Sequence, residues 1–274
     1  MNKKEIIEKL KNSLFFRVLK LIKLNKKPFL LTLVFDLLFL ISLYLFSQLL
    51  SSLIGANLEQ IATFFTLPSL TIISLLLFSI TYICLLILIY SFFKYCILDI
   101  IKSMTEKTGF SFRRFGRFFL LNLIIFASVF IIFLAITIII SLAIKKQYLQ
   151  ITTLIVLVLL ALITYSFLNF SHSYFMLKPG SIKSTLKSSL KKTFRRLSSY
   201  YKIYIISLLF FIAYIIIYYP FALLLKSTLP QNALRYLPIY VRAFTIITLI
   251  IIYLITAHNR IYFYMNTKEA ITPL

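Results

Sequence analysis

Seven polar side chains stand inside long apolar runs, and they have the most chemistry to offer: Asp36, Asn122, Asn169, His172, His258, Asn259 and Arg260. Hydrocarbon holds no water to solvate such groups, so each one is costly unless a partner or a water-filled cavity satisfies it. Asp36 and Asn122 lie near the starts of the first and third runs. Asn169 and His172 lie near the end of the fourth, and His258, Asn259 and Arg260 near the end of the sixth. If successive runs cross in opposite directions, all seven fall in one layer, in the cytoplasmic third of a membrane. Read together, they form a polar vestibule in which Asp36 pairs with Arg260 or a histidine. Read separately, they snorkel or bond between helices near the interface, where polar groups cost least. Asp36 fits the second account worst, because an aspartate side chain is too short to snorkel far.

Other chemistry has little support. The chain contains no GxGxxG, GxxxxGK[ST], HExxH, CxxC or GxSxG pattern, and only seven acidic residues to serve a metal or a general acid–base pair. We therefore expect no catalytic residues, no cofactor and no metal. Cys84 and Cys96 share one run, and twelve helical residues hold them about 18 Å apart, well beyond disulfide reach.

The elements that position these groups are six apolar runs: Phe29–Ile54, Ser69–Phe93, Phe118–Ile144, Leu149–Leu177, Ile203–Leu225 and Leu237–Tyr264. Each reaches the roughly 20 residues needed to cross about 30 Å of hydrocarbon as a helix. The chain is 61% apolar, against about 45–50% for soluble domains, and its mean hydropathy is +0.97. The expected fold is an all-α polytopic membrane protein. Residues 1–28 form a basic amphipathic cytoplasmic helix, 29–264 a six-helix bundle and 265–274 a short cytoplasmic tail.

The net charge of +23 supplies the orientation. Only Lys145, Lys146, Lys226, Arg235 and Arg242, among 30 Lys and Arg, fall on one side of the runs. The rest lie on the opposite side, which predicts a cytoplasmic-membrane protein with both termini in the cytoplasm. Of the outer connections, Gly55–Pro68 reads as a short interfacial helix, Lys145-Lys146-Gln147 as a tight turn and Lys226–Tyr236 as irregular. Pro220 is expected to kink the fifth run.

Basic amphipathic segments, or feet, precede the outward runs. In the first, Ile6, Ile7, Leu10, Leu14, Val18 and Leu21 recur at helical spacing among lysines. In the third, Ile182, Leu186, Leu190, Phe194 and Leu197 form one stripe beside Lys183, Lys187, Lys191 and Lys192, with Ser181 as amino-terminal cap. The middle foot, Asp99–Arg117, is interrupted at Gly109. Such helices lie in the headgroup plane, and Lys9, Arg17, Lys20, Arg113, Arg114, Lys187, Lys191, Arg195 and Arg196 are the expected contacts to anionic phospholipid. Phe112-Arg113-Arg114 returns as Phe194-Arg195-Arg196, and Ile80-Thr81-Tyr82 as Ile163-Thr164-Tyr165 at a matching offset. This suggests three copies of a foot-and-hairpin unit.

The alternation of Phe-Arg-Arg-type feet with paired spans resembles six-helix membrane families, including the membrane domain attached to some bacterial glycerophosphodiester phosphodiesterases. The resemblance is architectural and brings no functional residue with it. It implies a helical membrane module acting beside a partner, without the catalytic barrel of those enzymes.

The leading functional expectation is a non-enzymatic membrane module, either a transport-associated subunit or a lipid-interacting scaffold. Its partners would be the membrane, anionic phospholipid, and a partner protein or a second copy. One alternative is a secondary transporter or channel using Asp36 as coupling or substrate group. Another is an intramembrane enzyme acting on lipid through His172 or His258. Docking of a ribosome or other nucleic acid on the basic face would reveal itself by salt-dependent binding.

Overall fold

The computed structural model describes residues 13–56, 68–106, 109–144, 148–178, 180–195, 200–228 and 230–271, with side chains except at 53–56, 68–72, 75, 217–228 and 230–237. Among these residues the fold is helical, with no strand. The helices are α1 (Leu14–Leu24), α2 (Lys26–Ala56), α3 (Pro68–Ser103), α4 (Phe112–Ala143), α5 (Leu149–Leu177), α6 (Ile182–Arg195), α7 (Tyr201–Thr228) and α8 (Pro230–Ile271). Five of them, α2, α3, α4, α5 and α8, are long and apolar enough to cross a membrane. The expected fifth span falls on α7, whose segment Tyr201–Ile216 is also apolar.

In none of the five is more than 11% of the most apolar stretch buried. Leu45, Ile131, Leu142, Ile151 and Leu154 are each at least 60% exposed, as are many neighbours. Apolar surface on this scale is stable only against lipid tails. The backbone is satisfied within each helix, as hydrocarbon requires, and span hydroxyls follow the same rule. Thr81, Thr137, Ser141 and Thr256 each donate to a carbonyl three or four residues back at 2.8–2.9 Å.

The chain divides into two compact units: a central one, Ile22–Lys187, and a terminal one joining Met1–Leu21 to Ser188–Leu274. In the central unit α3 packs against α2, α4 and α5. The ring pairs Phe35–Phe93, Phe39–Tyr90 and Phe46–Tyr82 set α2 antiparallel to α3. Tyr95–Phe118 and Tyr90–Phe126 do the same for α3 and α4, and Phe118–Phe175 helps pair α4 with α5. The unit is thus an up-and-down bundle whose basic ends share one side. Its buried residues gather there: Tyr95, Leu98 and Ile101 on α3, Phe118, Leu121 and Ile125 on α4, Phe170 and Phe175 on α5.

In the terminal unit α7 pairs antiparallel with α8. Tyr214 stacks on Phe244 at 5.2 Å and reaches Thr248 Oγ1 at 2.8 Å, while Tyr204 meets Phe263 nearer the chain's end. α8 begins with Pro230, a position where the missing N–H has no helical partner to lose. The expectation of an irregular Lys226–Tyr236 connection is therefore corrected, since α7 runs to Thr228 and α8 resumes at Pro230. α7 is also helical through position 220.

The middle foot is not a separate helix. Asp99–Ser103 extends α3, Arg113, Arg114 and Arg117 open α4, and 109–111 are non-helical. The repeated tripeptide consequently occupies opposite helix ends, with Arg113 and Arg114 in the first turn of α4 and Arg195 in the last turn of α6. A cation is favoured by the helix dipole only in the second setting. Lys9, Arg196, the start of the first foot, the turn at 145–147 and most of the Gly55–Pro68 connection lie outside the described residues.

Candidate functional site

Three helices of the central unit meet through side chains at their basic ends. Ser91 of α3, Asn122 of α4 and His172 of α5 are all 0% exposed. Asn122 Nδ2 donates to Ser91 Oγ at 2.9 Å, and Ser91 Oγ donates to the Ile87 carbonyl at 2.6 Å. The orientation of the amide then leaves Asn122 Oδ1 facing His172 Nε2 at 2.6 Å. An amide oxygen only accepts, so Nε2 carries the proton and Nδ1 is left as a bare acceptor. Nδ1 is buried without a hydrogen-bond partner, and so is the neighbouring Ser171 Oγ. The imidazole is walled by Phe118, with ring centroids 4.9 Å apart, and by Tyr90 at 6.2 Å. Buried Lys94 lies one turn beyond Ser91 on α3.

Asn169 does not join this chain, because its Nδ2 donates to the Tyr165 carbonyl of its own helix at 2.8 Å. Asp36, on α2, is 8% exposed. His258, Asn259 and Arg260 belong to the terminal unit, so the expected pairing of Asp36 with Arg260 or His258 joins residues of different units. Within the terminal unit His258 stacks on Phe15 at 4.5 Å, with Nε2 3.4 Å from the Phe15 carbonyl. Asn259 Oδ1 is buried without a hydrogen-bond partner.

The basic residues divide into those that build the protein and those left for solvent or lipid. Lys102 Nζ donates to the Met176 carbonyl in the last turn of α5 at 2.9 Å. Lys192 Nζ, on α6, donates to the Asn266 carbonyl of α8 at 2.7 Å. The Met176 carbonyl is among the last of α5, where the dipole is negative and carbonyls lack helical partners, whereas Asn266 lies just over one turn before the end of α8. Arg17 pairs with Glu269 at 2.8 Å, with about half of each side chain exposed. Lys20, Arg113, Arg114, Lys187, Lys191 and Arg195 are exposed.

α6 shows how the division arises. Ser181 caps it, its Oγ accepting from the Ser184 amide at 3.2 Å. Thr185, Ser189, Lys192 and Thr193 form one buried stripe, while Leu190 and Phe194, of the expected apolar stripe, are 45% and 62% exposed. The small, hydrogen-bonding face of the helix is buried; of its apolar stripe Ile182 and Leu186 are half-buried, and Leu190 and Phe194 are open. Tyr200 reinforces the attachment, its hydroxyl donating to the Thr193 carbonyl. Burial pushes the Tyr200 phenol above its ordinary pKa.

Ser91, Lys102 and Lys192 carry roles that sequence reasoning did not assign. A serine within a span and a lysine near its end look like local features, and the partners that give them meaning lie on other helices. Among the described residues no three His, Cys, Asp or Glu side chains gather to hold a metal. No protein-family model, curated protein or solved structure matches the chain. The fold defines the class as an all-α, multi-pass membrane protein.

Proposed function

We propose that this protein is a non-enzymatic membrane module, a lipid-interacting scaffold whose basic end lies on the cytoplasmic side of the cell membrane and engages anionic phospholipid there. The observation that carries the reading is α6. Its Ser/Thr/Lys face is used up in packing, so Leu190 and Phe194 need another apolar environment, and Lys191 and Arg195 beside them favour anionic headgroups. The relay Ser91–Asn122–His172 then serves as interhelical fastening rather than catalysis, consistent with its burial and its lack of an acidic member.

The chain has no tryptophan, so Phe194→Trp creates a single fluorescent reporter. In reconstituted vesicles its emission should be blue-shifted and quenched by lipids labelled near the headgroup. Lys187→Gln, Lys191→Gln and Arg195→Gln together should weaken that quenching in anionic membranes only. A water-like emission spectrum, unchanged by any labelled lipid, would refute the reading.

A further inference from the structure

The described residues bury three charged side chains: Asp36, Lys94 and Lys192. Lys192 is accounted for by the Asn266 carbonyl. The other two have opposite charge, belong to one unit and stand on the packed neighbours α2 and α3. We propose that Asp36 and Lys94 form an interhelical ion pair that latches the basic end of α2 onto α3. The pair is independent of α6 and of the lipid that α6 engages.

The aromatic seam between the two helices fixes their register. Phe46 meets Tyr82, Phe39 meets Tyr90 and Phe35 meets Phe93, with ring centroids 5.5–6.4 Å apart. Residues three or four apart share a helix face. Asp36 therefore lies one turn before Phe39 on its face, and Lys94 one turn after Tyr90 on its own. Because the helices are antiparallel, both steps lead toward the basic end, and the two charged residues form the next rung of the seam. The register sets Asp36 opposite Phe92, so Lys94 stands about 3 Å away in height at 1.5 Å rise per residue. The four-carbon stem of a lysine covers that offset.

Burial selects the partner. A carboxylate or an ammonium alone in hydrocarbon carries a large desolvation penalty, which attraction to an opposite charge at low dielectric offsets. Among the described residues of the central unit Asp36 and Lys94 are the two buried charges, so each is the neutralising group the other requires. The consequence is architectural. Ser91, one turn before Lys94, begins the relay that joins α3 to α4 and α5. The ion pair adds α2, the helix that the relay leaves out. Asp36 is then a counter-ion with a positioning role, not a group that carries cargo.

The test uses the full chain in detergent micelles and its thermal unfolding midpoint. Asp36→Leu and Lys94→Met each strand the other charge, and each should lower the midpoint by roughly 5–10 °C. The double variant Asp36→Leu/Lys94→Met removes both charges and should lose less than either single one. Where a single variant fails to fold, recovery of folding in the double variant is the same result. Losses that add, or an Asp36→Leu variant as stable as the parent, overturn the proposal. Additive losses would mean that Lys94 meets a main-chain carbonyl, as Lys102 and Lys192 do. Proximity is read separately, with Asp36→Cys and Lys94→Cys in a Cys84→Ala, Cys96→Ala background. A short bifunctional thiol reagent should join the α2 and α3 peptides in a mass spectrum. Thiols that each take up the reagent yet stay unjoined also overturn the ion pair.

Discussion

Both units use a lysine-to-carbonyl bond, Lys102 to Met176 and Lys192 to Asn266, and they differ in how deeply their side-chain bonds are buried. The central unit joins three helices by side chain to side chain bonds, Ser91–Asn122 at 2.9 Å and Asn122–His172 at 2.6 Å, within a fully buried core. In the terminal unit the side-chain bond Tyr214–Thr248, at 2.8 Å, is only part-buried. Lys192 and Tyr200 reach main-chain oxygens there, the Asn266 carbonyl at 2.7 Å and the Thr193 carbonyl. A side-chain bond depends on both partners, so one substitution leaves a buried group orphaned on another helix. A lysine-to-carbonyl bond depends on one side chain only, and removing it also relieves the cost of burying the cation. The central unit is therefore the more vulnerable to single substitutions, and the terminal unit is built to hold a peripheral helix in place.

The largest expected effect is at Asn122. Asn122→Ala deprives His172 Nε2–H of its acceptor and Ser91 Oγ of its donor, and it should cost about 2–3 kcal/mol, the upper part of the range for orphaned buried groups. Bonds between helices in membranes average roughly 0.6 kcal/mol. A loss of that size in denaturant-titrated micelles would show that the relay is a minor fastening. In the Asn122→Leu background, His172→Phe should recover part of the loss, since the orphaned donor disappears with its ring.

Lys192→Met keeps the apolar stem and removes the ammonium. It should cost about 1–2 kcal/mol, less than a full charged hydrogen bond because the buried cation leaves too. The loss should be local, with hydrogen exchange accelerating across 188–195 while the α7–α8 pair keeps its protection. If Lys192→Met proves more damaging than Asn122→Ala, the contrast between the units is reversed.

The smallest effect belongs to Arg17. With both side chains of the Arg17–Glu269 pair about half exposed, Arg17→Gln should cost less than about 1 kcal/mol. Raising the ionic strength should erase even that difference in thermal unfolding of the wild type and the variant, because exposed pairs are screened within about 10 Å at 0.1 M salt. A loss that survives high salt would place Arg17 among the structural cations with Lys102 and Lys192.

Particular residues show what was legible in advance. α5 spans Leu149–Leu177, the bounds expected from hydropathy. The other runs became longer helices, beginning at Lys26 and Phe112 or ending at Ser103 and Ile271. Hydropathy marks where hydrocarbon ends, whereas backbone hydrogen bonding continues past it into the headgroup region. The Ser181 cap was readable because it depends on three residues of local chain. The fate of the lysines was not. Lys187, Lys191 and Lys192 look equivalent in sequence, yet the first two are exposed and the third is buried against α8.

By itself the sequence determined the class, the helices and the exposure of their apolar faces, because hydrocarbon burial and intrahelical hydrogen bonding are decided within a window of some twenty residues. It also marked Asn122 and His172 as polar groups needing satisfaction. Only the tertiary structure decided that these two satisfy each other across 50 residues, and that Lys102 and Lys192 each reach a carbonyl 74 residues away. Those partnerships depend on how each helix is rotated and how far it slides along its neighbour. A rotation by one residue position turns a side chain by about 100°, so no local pattern specifies which buried donor will face which acceptor.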